Sequence, residues 1–154
     1  VGKDTGVTLV LVGDGPAYYA LQTQARGARV IFRPYQQDRE ALADLYAAAD
    51  MYIAPGPLET FGLSAIEAMA SGLPVLSVDV GAVSELVMAS GGGWLFEYRN
   101  PASIVTILRN LCVHDLPMLG ARARQYAERE HAWDIVFDRL FALYHEAAYA
   151  GASG

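Results

Sequence analysis

Cysteine is nearly absent from this chain. Cys112 is the only one and sits in an apolar stretch read as helical, so no internal disulfide can close and a reducing compartment is expected. Histidine is scarce too: His114, His131 and His145 stand far apart without zinc-like spacing, and no D-x-D pair suited to a divalent ion occurs, so no metal is expected. They read as residues of helix surfaces or packing seams. Bases are few, 11 Lys plus Arg against 17 Asp plus Glu for a net charge of -6, and they form no run. A nucleic-acid partner is therefore not expected. No apolar stretch reaches the roughly 18 residues that a membrane-spanning helix needs, and the opening V-G-K-D lacks a signal-peptide pattern. A soluble, cytoplasmic domain is the expectation. There is no initiator methionine and V-G-K-D-T-G reads as loop, which suggests a piece of a larger protein.

What is present is apolar material, 53% of 154 residues, enough for one domain with a substantial core. Five short apolar runs predict strands near 8–13, 28–34, 51–55, 74–80 and 93–97. Between them, helix-forming segments run from Ala17 to Ala25, Arg39 to Ala49, Leu63 to Ala70 and Val83 to Met88, several closed by Gly27, Gly72 and Gly91. Asn100-Pro101 then starts an all-helical end, with helices predicted near 101–112, 116–130 and 134–149. Trp133 and Tyr144 read as packing anchors of the last of these. Alternating strands and helices, with strands rich in Val, Ile and Leu, imply an α/β fold: a Rossmann-like, doubly wound parallel sheet of about five strands with helices on both faces. No repeat, low-complexity tract or linker divides the chain. Residues 1–150 are expected as one domain and 151–154 as a disordered tail.

In such sheets ligands bind beyond the carboxyl ends of the strands. After the first strand stands Gly13-Asp14-Gly15-Pro16, a tight turn that lets backbone approach a ligand. The dinucleotide fingerprint is not met, because Tyr18 stands where its third glycine belongs, and a plain turn explains the loop equally well. After the third strand comes Ala54-Pro55-Gly56-Pro57-Leu58-Glu59-Thr60-Phe61-Gly62-Leu63-Ser64, then a helix carrying Glu67. The amides of Gly62, Leu63 and Ser64, at the positive end of the helix dipole, suit a diphosphate, and Gly62 lets it come close. Glu59 can accept hydrogen bonds from sugar hydroxyls and Glu67 from ribose hydroxyls. Two glutamates eight apart also arise by chance, with Glu59 a cap-region acid and Glu67 an exposed helix residue, and spacing alone does not decide. Glu85, in a G-x-x-x-E arrangement after the fourth strand, is either a site residue or a helix N-terminal acid.

The whole string decides more than the spacing. E-T-F-G-L-S-A-I-E-A-M-A-S-G-L-P-V-L, followed by G-A-V-S-E-L-V, closely resembles the signature of glycosyltransferase family 4. L-V-L-V-G-D-G-P, A-D-M-Y-I-A-P and the terminal A-W-D-I-V-F-D-R-L-F-A-L-Y-H-E extend that resemblance over nearly the entire chain. It implies the C-terminal, donor-binding half of a retaining, metal-independent GT-B enzyme. Glu59 would then be the catalytic-site carboxylate on the transferred sugar and Glu67 the ribose ligand. Thr60, Phe61, Gly62, Leu63 and Ser64 would meet diphosphate and sugar, Pro34 and Tyr35 the base, and Gly13 and Gly15 would flank the nucleotide.

The family also uses an Arg and a Lys upstream, in a G-R-x-x-x-x-K-G-like segment that this chain lacks; Lys3 is not matched to it. The usual first strand and helix and the N-terminal acceptor domain are also missing, so the chain alone is expected not to transfer. No cofactor is implied beyond the nucleoside-diphosphate sugar as donor substrate, GDP-mannose by guess with UDP-sugars behind it. A parent enzyme peripheral to a membrane, at its cytoplasmic face, is compatible. The alternatives are a non-catalytic nucleotide-sugar-binding module and a nucleotide-sugar epimerase of GT-B architecture. A glycoside hydrolase needs two carboxylates flanking one bond, and nothing in the sequence favours it.

Overall fold

β-branched and leucine runs extend because they pack well on a pleated surface, while the Ala-, Glu- and Leu-rich segments between them coil. In the computed structural model, which describes residues 6–150, they alternate in the expected order. The elements are β1 (Leu9–Val12), α1 (Tyr18–Gln24), β2 (Val30–Arg33), α2 (Arg39–Ala47), β3 (Tyr52–Ala54), α3 (Leu63–Ala70), β4 (Val75–Val78), α4 (Ala82–Ser90) and β5 (Gly93–Phe96). Helices α5 (Pro101–Arg109), α6 (Leu116–His131) and α7 (Trp133–Ala150) follow. Lys3 and the tail 151–154 lie outside the described residues. Local chemistry starts the helices: Asp38 accepts the Glu40 amide at 2.9 Å ahead of α2, and Asn100 accepts the Ala102 amide at 3.1 Å ahead of Pro101.

Every strand pairing is parallel, as the continuous apolar runs predict. The five strands do not form one ladder, however. β1 pairs with β2, Leu9 opposite Val30, and β3, β4 and β5 form a separate three-stranded sheet with β4 in the centre. Among the described residues no strand joins β1 to β3.

The core lies on both faces of the three-stranded sheet. On one face Ala65, Ile66 and Met69 of α3, Val83, Leu86 and Val87 of α4, and Ala123 and Ala127 of α6 pack around Val75. On the other face Leu76, Val78 and Phe96 meet Leu108 of α5. Ser77, buried in β4, gives its hydroxyl to the Val78 carbonyl at 3.0 Å, so burial strands no donor.

Two expectations fail at the helical end. Cys112 is not helical: α5 stops at Arg109, capped by Asn110, and Cys112 is an exposed, extended residue ahead of a single 3₁₀ turn at Val113–Asp115. Trp133 and Tyr144 anchor nothing, being 75% and 61% exposed. Trp133 stacks instead on Phe137 within α7, and Phe137 on Phe141, because no described element covers that stripe. No described helix is long and apolar enough to cross a membrane.

Candidate functional site

Because the strands are parallel, their carboxyl ends gather the loops in which a ligand would be sought. The turn after β1 is an extension of its ladder, the Gly13 amide donating to the Arg33 carbonyl at 3.0 Å, and the Gly15 carbonyl accepts from Tyr18 at 2.9 Å as the chain enters α1. Both glycines border open space. After β2, Arg33 and Pro34 line a groove of about 350 Å³ with Gln36, Ala41, Asp44 and Leu45. Tyr35 is 63% exposed and is not part of that lining.

The loop after β3 is built differently. Gly81, at φ 89°, lets the loop pack on the backbone ahead of α4, for a Cβ there would lie 2.6 Å from the Pro57 carbonyl oxygen. Gly62 caps α3 in a left-handed conformation, φ 82°, and a Cβ on it would lie 2.9 Å from Val83 Cγ2. Its glycine thus serves the joint between α3 and α4 as well as any ligand. The Gly62 amide is not free for a diphosphate: it donates to Glu59 Oε1 at 3.2 Å. Glu59 therefore acts as a cap in this structure, for the helix start offers that carboxylate an unpaired donor within its reach. The amides of Leu63 and Ser64, in the first turn of α3, remain for an anion. Glu59 and Ser64 line a hollow of about 200 Å³ with Tyr52, Ala54, Pro55, Gly56, Leu58 and Val83. Thr60, Phe61 and Leu63 are exposed, Phe61 with its ring edge-on to His131 at 5.8 Å.

Glu67 stands on the exposed side of α3, and its partner comes from another element. The Tyr46 hydroxyl lies 3.4 Å from Glu67 Oε2 and 3.3 Å from the Ser64 carbonyl, while the Tyr52 hydroxyl sits 2.8 Å from Ser64 Oγ. Burial first, then the Glu67 carboxylate beside it, pushes the Tyr46 phenol above its ordinary range, so it stays a protonated donor. Sequence reasoning missed Tyr46 and Tyr52. Their contacts to α3 span between 12 and 21 positions, so no local motif marks them.

The structure thus gathers Glu59, Gly62, Leu63, Ser64 and Glu67 around the start of α3, while Gly13, Gly15 and Tyr35 line neither the hollow nor the groove. Glu85 lies exposed in the first turn of α4. His131 fills a seam between Phe61 and Tyr126, its Nε2 buried without a hydrogen-bond partner among the described residues. The described ion pairs all lie on α6 and α7.

Comparison with known proteins matches residues 1–114 to the family described as "Glycosyl transferases group 1". Over 91 residues the chain is 42% identical to the GDP-mannose-dependent alpha-(1-6)-phosphatidylinositol dimannoside mannosyltransferase of Mycobacterium tuberculosis, covering 58% of this chain and 24% of that protein. Over 113 residues it is 40% identical to D-inositol 3-phosphate glycosyltransferase 1 of Catenulispora acidiphila, covering 71% and 27%. The chain therefore spans about a quarter of the length of these relatives. Among solved structures, sucrose-phosphate synthase from Thermosynechococcus elongatus superposes with TM-score 0.76 at 29% identity, over 93% of this chain and 39% of that one. HepE of Anabaena, in complex with UDP, superposes with TM-score 0.79 at 25% identity, over 91% and 41%.

Proposed function

The chain belongs to the group 1 glycosyl transferases, and from that membership we propose that it is the donor-binding half of a hexosyltransferase whose acceptor-binding domain lies elsewhere in a longer protein. The observation that carries this proposal is the start of α3. Free first-turn amides at Leu63 and Ser64 adjoin a hollow lined by Glu59, with Glu67 farther along the same helix. A diphosphate on those amides meets the positive end of the helix. Glu59 then exchanges its Gly62 amide for, or shares it with, hydroxyls of the transferred sugar, and Glu67 takes the ribose. Thr60 and Phe61 border the sugar, Pro34 and Tyr35 the base, and Gly13 and Gly15 flank the nucleotide.

The chemistry proposed is transfer with retention at the anomeric carbon, the nucleoside diphosphate leaving as the acceptor attacks from the same face. Stabilising the departing phosphate is the main electrostatic task, and the two amides supply part of it. GDP-mannose is the proposed donor, supported by the name of the mycobacterial relative; UDP-sugars stand behind it, supported by the UDP in the Anabaena structure.

The division of the sheet supports a missing strand. In the doubly wound order 3-2-1-4-5-6, β1 and β2 take the second and third places and β3 to β5 the last three. Among the described residues no strand takes the first place, between β1 and β3. A strand from the longer protein fits there.

Calorimetric titration with GDP, UDP, GDP-mannose and UDP-glucose tests the proposal, with Glu67→Ala run beside the wild-type chain. Binding of one base series, lost in the variant, is expected. If a folded chain binds none of the four, titration of the longer parent decides: binding there assigns the deficit to segments that the longer protein supplies, and none there rejects a nucleotide site.

A further inference from the structure

The carboxylate proposed for the ribose is not oriented by its own helix alone. Tyr46, in the last turn of α2, brings one hydroxyl to two acceptors of α3, Glu67 Oε2 at 3.4 Å and the Ser64 carbonyl at 3.3 Å. Its ring stands edge-on to that of Tyr52 at 6.2 Å, and Tyr52 in turn reaches Ser64 Oγ. Two tyrosines, from α2 and β3, thus meet the first turns of the helix that presents the free amides. A glutamate on an exposed helix surface otherwise samples many rotamers, and a ligand that needs one of them pays for the selection in affinity.

We propose that Tyr46 is a positioning residue for nucleotide recognition: by holding Glu67 Oε2 it leaves the other carboxylate oxygen aimed at the vicinal hydroxyls of a nucleoside ribose. This rests on the assignment of Glu67 to the ribose made above. Tyr46 itself touches no nucleotide and acts only through Glu67.

The test is calorimetric titration of the 154-residue chain with GDP and UDP, each beside its 2′,3′-dideoxy counterpart. Wild type, Tyr46→Phe, Glu67→Ala and the double variant are compared. Phenylalanine keeps the ring against Tyr52 and removes only the hydroxyl; alanine removes every acceptor that hydroxyl has on the Glu67 side chain. Tyr46→Phe is expected to weaken the ribonucleotide about three- to tenfold, the range of one modest hydrogen bond, to leave the dideoxy ligand unchanged, and to cost nothing further once Glu67 is alanine. Equal losses for both ligands, or a loss that persists in the Glu67→Ala background, give Tyr46 a purely structural role and overturn the inference. A wild-type chain that binds nucleotides but does not distinguish ribose from dideoxyribose removes Glu67 from ribose recognition while leaving the nucleotide site standing. If folded wild type binds neither nucleotide, the same comparison in the longer parent decides, and no binding there overturns the site and the role of Tyr46 together.

Discussion

β1 and β4 are almost the same peptide, Leu-Val-Leu-Val against Val-Leu-Ser-Val, yet all four residues of β4 are buried and none of β1 is. Hydrophobicity made both into strands; neighbours decided which became core. β4 has a strand on each side, α3, α4 and α6 on one face and α5 on the other. β1 has a single partner, and neither α1 nor α2 contributes a buried residue to cover the pair, so Val10, Val12 and Ile31 remain 45%, 43% and 45% exposed. The candidate site follows the same division. Its best-organised part, from Glu59 to Glu67, is seated on the covered half, whereas the turn at Gly13 and Gly15 projects from the bare one.

The largest expected effect tests that contrast directly. Leu76, in the centre of β4, is fully buried between Val78, Phe96 and Leu108. Leu76→Ala is expected to cost about 2–5 kcal/mol, lost transfer energy plus the cavity left behind. Ile31→Ala in β2 removes side-chain atoms that are already half in water and is expected to cost about 1 kcal/mol or less. Urea unfolding followed by circular dichroism measures both. Equal costs would mean that β1 and β2 are covered in solution after all, and the comparison would break.

A second test sets the two glycine loops against each other. Gly62→Ala forces an L-residue to φ 82° and drives its Cβ to 2.9 Å from Val83, so a loss of about 1–3 kcal/mol is expected. At Gly15 a Cβ meets nothing within 4 Å, and Gly15→Ala should change stability by about 0.5 kcal/mol at most. Thermal melts of the two variants give the answer. A tolerated Gly62→Ala would show that the joint between α3 and α4 is loose, and with it the amide geometry proposed for the diphosphate.

The same division explains what was legible beforehand. Strand and helix positions came from local chemistry, such as the Asn100-Pro101 helix start and the apolar runs, and these survive wherever the chain is placed. Only the family resemblance, which implied a missing first strand, pointed to the break between β1 and β3; it was not visible in the apolar runs, because such a run says that a strand wants neighbours, not whether it has them. For the same reason Trp133 looked like an anchor and turned out exposed. At the candidate site, the motif singled out Glu59, Ser64 and Glu67, but not that Glu59 holds the Gly62 amide, a contact that depends on how the loop folds onto the helix start. Tyr46 stayed hidden because its role is made across a tertiary contact.

The smallest expected effect asks where the covered half ends. Among the described residues α6 is the last helix with buried side chains, and His131 closes it, wedged against Phe61 and Tyr126. Burial lowers the pKa of this imidazole from its ordinary 6.5; Glu130 opposes that shift and Arg139 adds to it. A depressed pKa means that the unfolded chain takes up the proton first. The contribution of the neutral ring is therefore intact above about pH 6.5 and is lost as pH falls towards the folded value. Glu130, held below its usual 4.5 by Arg129 and Arg139, loses its contribution in a lower window, so the two are separable. His131→Phe keeps an aromatic edge against Phe61 and removes the unpartnered nitrogen. Unfolding midpoints measured from pH 7.5 down to about pH 5 should fall for the wild type and stay flatter for His131→Phe. Parallel curves would mean that the seam is wet and that the covered half stops short of Phe61.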